Sequence, residues 1–255
     1  MRETPGAKDH VGSLQRGLGV MEILAAHPGG LTLTETAEKA GLTRAGARRF
    51  LLTLVASGYA TQTGRIFTLS PRLLSLARTW LQGTSLWAFA EPFMRRTAVA
   101  LGESCSAAVL AGEDIVYVAR VQGPSIVSLD LHVGARLPAH CTAMGRVLLS
   151  AMDASELDSF LAGARILPRT DRTVTDRKRL ADIVAGVRHD GYAAVDEELE
   201  IGLRSLAVPL RDRSGRIVAA LNASTQSARH SAAEMQRLFL PRLKETATGI
   251  EDFFV

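Results

Sequence analysis

Apolar residues in the first part of the chain recur at the three-to-four-residue spacing of helices. A first helix is predicted over residues 13–26, with apolar positions at Leu14, Leu18, Met21 and Ala25. Thr32 and Glu35 have the spacing of a capping box, which starts a second short helix that ends at Gly41. Thr43 then caps a third helix, whose predicted buried face consists of Ala47, Phe50, Leu51, Leu54 and Val55.

Two short runs after this third helix have the pattern of β-strands. Residues 59–61 and 66–69 flank the turn signal Thr63-Gly64, which predicts a hairpin. Three helices, the last two joined by a tight turn, followed by a hairpin, are the element order of a winged helix-turn-helix. In that fold the third helix enters the major groove of DNA. The pattern therefore predicts a DNA-binding domain over residues 10–70.

Arginines lie on or beside the free face of the third helix, where guanidinium groups can pair with phosphates or guanine edges. The alternative is a plain helical bundle whose arginines are merely solvated. The caps, the turn at Gly41 and the hairpin favour the DNA-binding interpretation. The candidate DNA contacts are Thr43, Arg44, Ala45, Gly46, Arg48, Arg49 and Arg65.

A connecting helix is predicted over residues 71–84, because Ser70-Pro71 is a favourable helix start. Its apolar stripe consists of Leu73, Leu76, Ala77, Trp80 and Leu81. Such a stripe needs a partner, which is either the core of the same chain or the same helix of a second subunit.

Residues 85–255 alternate between helical and strand patterns. Helices are predicted over residues 86–101, 143–152, 155–161, 177–190 and from 232 onward. Strands are predicted over residues 105–110, 115–121, 126–133, 206–210 and 217–224. Helices on a largely antiparallel sheet make this part an α+β domain.

Charge is distributed unevenly along the chain. Residues 1–82 carry ten Lys and Arg against five Asp and Glu, whereas the remainder carries twenty against twenty-one. A basic first part favours a polyanionic partner for that part alone. No apolar run approaches the roughly 20 residues that span a bilayer, so no membrane partner is expected. Cys105 and Cys141 form no CxxC pair, and residues 1–13 lack the apolar stretch of a secretory signal, so a cytoplasmic location is expected.

Several segments resemble the IclR (isocitrate lyase regulator) family of transcription regulators. They include GLTRAGARRFLLTLVASGYA, GESCSAAVL, VGARLPAHCTAMGRVLLSA, RTVTD, GYAAVDEELEIGLRSLAVPL and GRIVAALNAS. The resemblance is closest to the β-ketoadipate pathway regulators, which respond to protocatechuate, 4-hydroxybenzoate or related acids. It implies a GAF-like effector-binding fold over residues 85–255. It also implies dimerisation through the DNA-binding domain and connecting helix, as a homodimer or a dimer of dimers.

Gly46 departs from the family pattern, which has alanine, serine or threonine at this position of the recognition helix. Glycine there costs roughly 1 kcal/mol of helix propensity. Docking on DNA is expected to stay intact, but the family pattern no longer specifies the identity of one base contact.

Three polar clusters in the larger domain are candidates for an effector site: residues 134–142, 196–205 and 222–224. Thr142, at a predicted helix start, offers a hydroxyl group to a carboxylate. The resemblance implies that the pocket also draws on Gly134, Ala135, Asp196, Glu197, Leu203, Ser205, Asn222 and Ser224. Asn222 has a structural partner as its alternative role. Arg204 is either a counter-charge for the effector or a salt-bridge partner of Glu197 or Glu200.

An enzyme is the rival interpretation: a small-molecule hydrolase or transferase with an accessory helical domain. His140 and Cys141 are a base type and a nucleophile type, but neighbours in an extended segment point to opposite sides. The histidines lack metal-binding spacing. We therefore expect no catalytic residue, metal or cofactor. The expected protein binds operator DNA under the control of a small organic acid, aromatic or dicarboxylic, in its second domain.

Overall fold

The computed structural model describes residues 11–76, 85–124 and 131–254. The chain divides into two compact units, residues 1–83 and 84–255. The first unit contains α1 (Gly12–Ala25), β1 (Leu31–Thr32), α2 (Leu33–Lys39), α3 (Arg44–Ala56), β2 (Ala60–Thr63) and β3 (Ile66–Leu69). Its strands form a three-stranded antiparallel sheet in the order β1-β3-β2. The predicted winged helix-turn-helix is confirmed.

The predicted caps define the helices of this unit. Thr32 and Glu35 form the capping box of α2, and the hydroxyl of Thr43 accepts from the Gly46 amide at 3.1 Å to start α3. The core is formed by Val20, Leu24, Leu31, Leu51, Leu54, Ala60 and Phe67. Leu14 and Leu18, part of the predicted stripe of α1, are instead 62% and 51% exposed. Helix α1 thus carries an apolar surface that its own core does not use.

The second unit contains five helices and six strands within the described residues. They are α4 (Ser85–Leu101), β4 (Ser104–Ala111), β5 (Asp114–Val121), β6 (Arg136–Pro138), α5 (Ala143–Leu149), α6 (Ala154–Gly163), α7 (Arg177–Asp190), β7 (Ala193–Asp196), β8 (Leu203–Arg211), β9 (Ile217–Gln226) and α8 (Ala232–Glu251). A 3₁₀ turn follows at Asp252–Phe254.

One six-stranded antiparallel sheet, in the order β6-β5-β4-β9-β8-β7, organises this unit. Helices α4 and α8 cover one face, with Met94 and Phe239 in the core. Helices α5, α6 and α7 cover the other face, with Ile115, Met144 and Leu180 in a second core. The α+β class is confirmed, with the layering of a GAF-like domain.

The structure differs from the predicted elements mainly at the sheet edges. Of the predicted strand 126–133, residues 126–130 lie outside the described part of the chain, and residues 131–133 are not a strand. The edge strands β6 and β7 were not predicted, because three or four residues are too few to show a periodicity. The predicted helix 143–152 ends at Leu149.

Only part of the connecting helix can be compared with its prediction. Residues 72–76 are helical, while Ala77, Trp80 and Leu81 of its predicted stripe lie outside the described residues. In the described ranges, no helix is long and apolar enough to cross a membrane.

Candidate functional site

Helix α3 presents its arginines to solvent. Arg44, Arg48 and Arg49 are exposed, and none of them forms an ion pair with another described residue. Ala45 is also exposed, and Gly46 is half-buried. Arg65 is exposed in the turn between β2 and β3, the position of the wing. Unpaired guanidinium groups on this helix are available to phosphates and base edges.

A row of polar side chains crosses the larger sheet on the face that α5 covers. Ser106 of β4 lies opposite both Arg120 of β5 and Asn222 of β9. One step along, Ser224 of β9 lies opposite Ser104 of β4 and Ser205 of β8. Strand alternation places each row on one side of the sheet. The rest of this face is apolar and belongs to the second core.

All of these polar side chains except Ser106 line a small cavity between the sheet and the start of α5. Five of the predicted effector residues meet there, namely Thr142, Leu203, Ser205, Asn222 and Ser224. The other lining residues are Ser104, Tyr117, Arg120, Leu131, Ala143, Met144 and Leu199. The cavity has a volume of about 20 Å³. That is room for one water molecule.

Helix α5 reaches this cavity through a close backbone contact. A Cβ atom at Gly145 would lie 2.1 Å from the carbonyl oxygen of Ala139, so only glycine permits the approach. Thr142 caps the helix, with its hydroxyl accepting from the Gly145 amide at 3.2 Å. The same hydroxyl donates to the Pro138 carbonyl at 3.0 Å. Thr142 is therefore a structural cap as well as a lining residue.

Hydroxyl and amide groups dominate the polar lining of the cavity. The side-chain amide of Asn222 donates to Ser224 Oγ at 3.0 Å, which gives Asn222 the structural partner considered above. Of the described residues that line the cavity, Arg120 alone is charged. Burial raises the pKa of Tyr117 from its ordinary value of 10 to about 12.

Gly134, Ala135, Asp196 and Glu197 are not among the residues that line this cavity. The amides of Gly134 and Ala135 already donate, to the carbonyls of Tyr117 and His132. The Asp196 carboxylate pairs with Arg204 at 2.6 Å and with Arg172 at 3.4 Å. None of these four residues lines the cavity, so their role in effector binding stays a prediction.

The salt-bridge partner of Arg204 is Asp196, so the expected partners Glu197 and Glu200 were wrong. The Nε atom of Arg204 donates to Asp196 Oδ1, rather than to Glu197 or Glu200, and its Nη1 atom donates to the carbonyls of Ser227 and His230. The antiparallel register places Arg204 directly opposite Asp196, which explains the partner. Arg204 is thus a structural cation, and it does not line the cavity.

Arg120 and Ser104 are site residues that the sequence reasoning missed. Ser104 and Ser106 alternate with the buried residues Cys105 and Ala107, a period-two signal of polar side chains on one strand face. Arg120 interrupts an otherwise apolar strand. Ser104 and Arg120 lie on adjacent strands of one hairpin, and the register of that hairpin, which shifts between Ala107 and Ala108, brings them together. The sequence alone does not specify this register.

His140 and Cys141 do not form a catalytic pair. The His140 Nε2 atom lies 3.1 Å from the Leu167 carbonyl oxygen, and the Cys141 thiol contacts the Pro138 carbonyl at 3.9 Å. Burial raises the pKa of Cys141 to about 11, so the thiol is not an ionised nucleophile at neutral pH. Across the part of the chain that the structure describes, no cluster of three or more His, Cys, Asp or Glu could hold a metal ion.

Comparisons with known proteins agree with this architecture. The Pca regulon regulatory protein of Pseudomonas putida is 42% identical over 239 residues, which are 93% of this chain and 82% of that protein. The crystal structure of a transcriptional regulator from Rhodococcus sp. RHA1 is 43% identical, with a TM-score of 0.81 over 96% of this chain and 98% of its own. An IclR homologue of Microbacterium hydrocarbonoxydans, complexed with 4-hydroxybenzoate, is 26% identical, with a TM-score of 0.81 over 94% and 98% of the two chains.

Two family models cover most of the sequence. The IclR helix-turn-helix domain matches residues 13–64, and the model described as bacterial transcriptional regulator IclR C-terminal matches residues 78–252. The first match lies within the first unit, and the second covers most of the second unit and begins six residues before it. The chain therefore belongs to the IclR family of bacterial transcriptional regulators, which are DNA-binding proteins and not enzymes.

Proposed function

We propose that this regulator responds to a small aromatic acid, such as protocatechuate or 4-hydroxybenzoate, bound between the sheet and α5. The observation that carries the proposal is the meeting of five predicted effector residues, from α5, β8 and β9, in one cavity. Apolar side chains such as Met144, Leu199 and Leu203 suit a ring, and the hydroxyl groups suit its polar substituents. The Microbacterium complex with 4-hydroxybenzoate supports the ligand class.

Effector binding must enlarge this cavity, because about 20 Å³ cannot hold an aromatic acid. Its walls belong to the sheet, to α5 and to the segment that carries Leu199. A ligand shifts an equilibrium only through different affinities for its two states. We propose that the widened state favours one arrangement of the DNA-binding units, which changes operator binding.

The DNA-binding surface is proposed to be α3 together with the wing. Arg44, Arg48 and Arg49 supply exposed positive charge on the helix, and Arg65 supplies it on the hairpin. Base contacts from Thr43, Ala45 and Gly46 are part of the same proposal. The domain limits 10–70, 71–84 and 85–255 and a cytoplasmic location belong to it as well.

We propose that the protein binds DNA as a homodimer, or as a dimer of dimers. Val11, at the N-cap of α1, and Leu14 and Leu18 within the helix are exposed at 63%, 62% and 51% of their surface. These positions are three or four residues apart and share one helix face. Exchanging Leu14 and Leu18 for Glu should shift the protein toward monomer in light scattering, while Glu at exposed Thr53 should not. An unchanged mass for the double variant would contradict this interface.

The effector proposal is tested by calorimetric titration of wild-type protein and the Ser205→Ala variant with protocatechuate and 4-hydroxybenzoate. Loss of one hydrogen bond to a charged ligand costs about 1.5–3 kcal/mol, which is about tenfold to a hundredfold in affinity. Operator affinity without effector should stay near that of wild type. The matched control is Ser155→Ala, at an exposed position of α6.

The opposite pattern would place the effector elsewhere. If Ser205→Ala abolishes operator binding without effector but leaves acid affinity unchanged, Ser205 has a structural role and the cavity is not the effector site. Absence of binding by either acid to the wild-type protein would contradict the proposed ligand class.

A further inference from the structure

We propose that Arg120 binds the carboxylate of the effector and that this contact makes the site prefer acids to their uncharged analogues. The inference rests on the proposed function, because it concerns the same cavity. It names a residue outside the set that the sequence and the family resemblance indicated. It also states which chemical group of the ligand faces which wall.

The charges around the cavity favour an anionic ligand. Among the described residues that line the cavity, Arg120 is the only charged one and none is acidic. From these residues, a carboxylate placed there would meet one cation and no anion. A second observation is that Asp196 and Glu197, whose charge would repel an acid, are paired with arginines and do not line the cavity.

The guanidinium of Arg120 has N–H donors that no described residue uses. Its Nη1 atom donates to Ser106 Oγ at 3.3 Å and its Nη2 atom to Ser104 Oγ at 3.4 Å, both close to the long limit of hydrogen bonds. A guanidinium has five N–H donors. Among the described residues it has no carboxylate partner, whereas Arg146, Arg172, Arg204 and Arg229 in the same unit each have at least one.

The guanidinium of Arg120 is held in place on the sheet. It lies opposite Ser106 on β4, and the two serine hydroxyls hold its planar end at the polar part of the sheet face. Tyr117, on the same strand, also lines the cavity. A bidentate carboxylate at the guanidinium would leave the ring of the acid beside Tyr117, Met144 and Leu203. Because the side chain is half-buried, this ion pair is stronger than one at the surface.

The test compares each acid with its neutral carboxamide on three proteins. Wild type, Arg120→Gln and Arg120→Lys are titrated with 4-hydroxybenzoate, protocatechuate and the two carboxamides. We expect wild type to prefer the acids. Arg120→Gln should lose about tenfold to a hundredfold in acid affinity while its carboxamide affinity changes little. Arg120→Lys should retain part of the acid preference, because it keeps the charge without the planar fork.

The control is Arg136→Gln, which removes the same charge from β6 at a position outside the cavity lining and should leave both affinities unchanged. A cooperative thermal unfolding transition of the fragment 85–255, compared with that of wild type, reports that the larger unit of each variant is folded. An Arg120→Gln variant that loses acid and carboxamide affinity equally, or neither, overturns the proposal while the effector site stands. If wild type binds neither acid, the proposed function and this inference are both overturned.

Discussion

The guanidinium of Arg146 on α5 lies 2.6 Å from the carboxylate of Glu198, and both side chains are buried. The same Glu198 oxygen accepts from the Val174 amide at 3.0 Å, and Arg146 also donates to the His140 carbonyl. This pair joins α5 to the segment that follows β7. Leu199, the residue after Glu198 in that segment, lines the cavity. The pair therefore holds two walls of the proposed effector site together.

Breaking this pair from one side should destabilise the larger unit. Arg146→Met leaves the Glu198 carboxylate buried and unpaired, which costs about 3–5 kcal/mol. The double variant Arg146→Met, Glu198→Gln should be less destabilised than the single variant, since no charge stays buried. Urea unfolding measures both. Arg242→Met, which breaks an exposed pair with Glu245, should cost at most about 1 kcal/mol. Equal losses for single and double variants would contradict a charge effect.

The arginines of α3 should contribute directly to operator affinity. Arg44→Ala and Arg48→Ala should each cost about 1–3 kcal/mol where the contact is to a base edge, and relax specificity at that base. A phosphate contact would weaken all sequences alike and reduce the salt slope. Electrophoretic or anisotropy titrations at several salt concentrations separate the two. Lys39→Ala, which removes an exposed charge from α2, is the control. Wild-type affinity in both arginine variants would refute the assignment of α3.

Gly46 and the cap of α3 should show coupled effects on stability. Gly46→Ala gains about 1 kcal/mol of helix propensity, but the new Cβ would lie 3.2 Å from the Thr43 hydroxyl, which already accepts from the Gly46 amide. The net gain should therefore be smaller than 1 kcal/mol. In a Thr43→Ala background, itself about 1 kcal/mol less stable, the gain should be larger. Thermal unfolding of the four proteins measures this coupling, and identical gains in both backgrounds would exclude it.

Stability should fall on mild acidification through His140. Burial lowers the pKa of His140 below its ordinary value of 6.5, and its imidazole bonds the Leu167 carbonyl. Because the unfolded chain then binds a proton that the folded chain does not, stability is full above pH 6.5. It declines as pH falls toward the lowered pKa and levels off below it. His140→Gln keeps a donor for Leu167 and should show a shallower decline in urea unfolding between about pH 7.5 and pH 5. An equal slope would assign the pH dependence to other groups.

The larger unit should fold and bind effector alone. Both of its cores and the whole cavity lie within residues 84–255. Expressed as residues 85–255, it should unfold cooperatively and bind, with similar affinity, the acids that the full chain binds. Calorimetry on both proteins tests this. A folded fragment that binds none of those acids would contradict the proposed domain division.

Local signals in the sequence determined the helices and the elements of the winged helix-turn-helix. Thr32, Glu35 and Thr43 form their capping hydrogen bonds with residues a few positions away in the chain. These caps could therefore be recognised without any tertiary contact. The periodicity of residues 177–190 likewise matched α7. The hairpin of the wing followed from one turn signal. These elements are encoded by neighbours in the chain.

Tertiary structure alone decided the composition of the cavity and the partners of its charges. Arg120, Ser106 and Asn222 come together through the register of β5, β4 and β9. The β4–β5 pairing is a hairpin, whereas the β4–β9 pairing joins strands that are far apart in the sequence. Asp196 was a predicted effector contact, yet Arg204 lies opposite it across β7 and β8 and takes its carboxylate. Charged groups select partners by distance in space, and distance in sequence does not specify that.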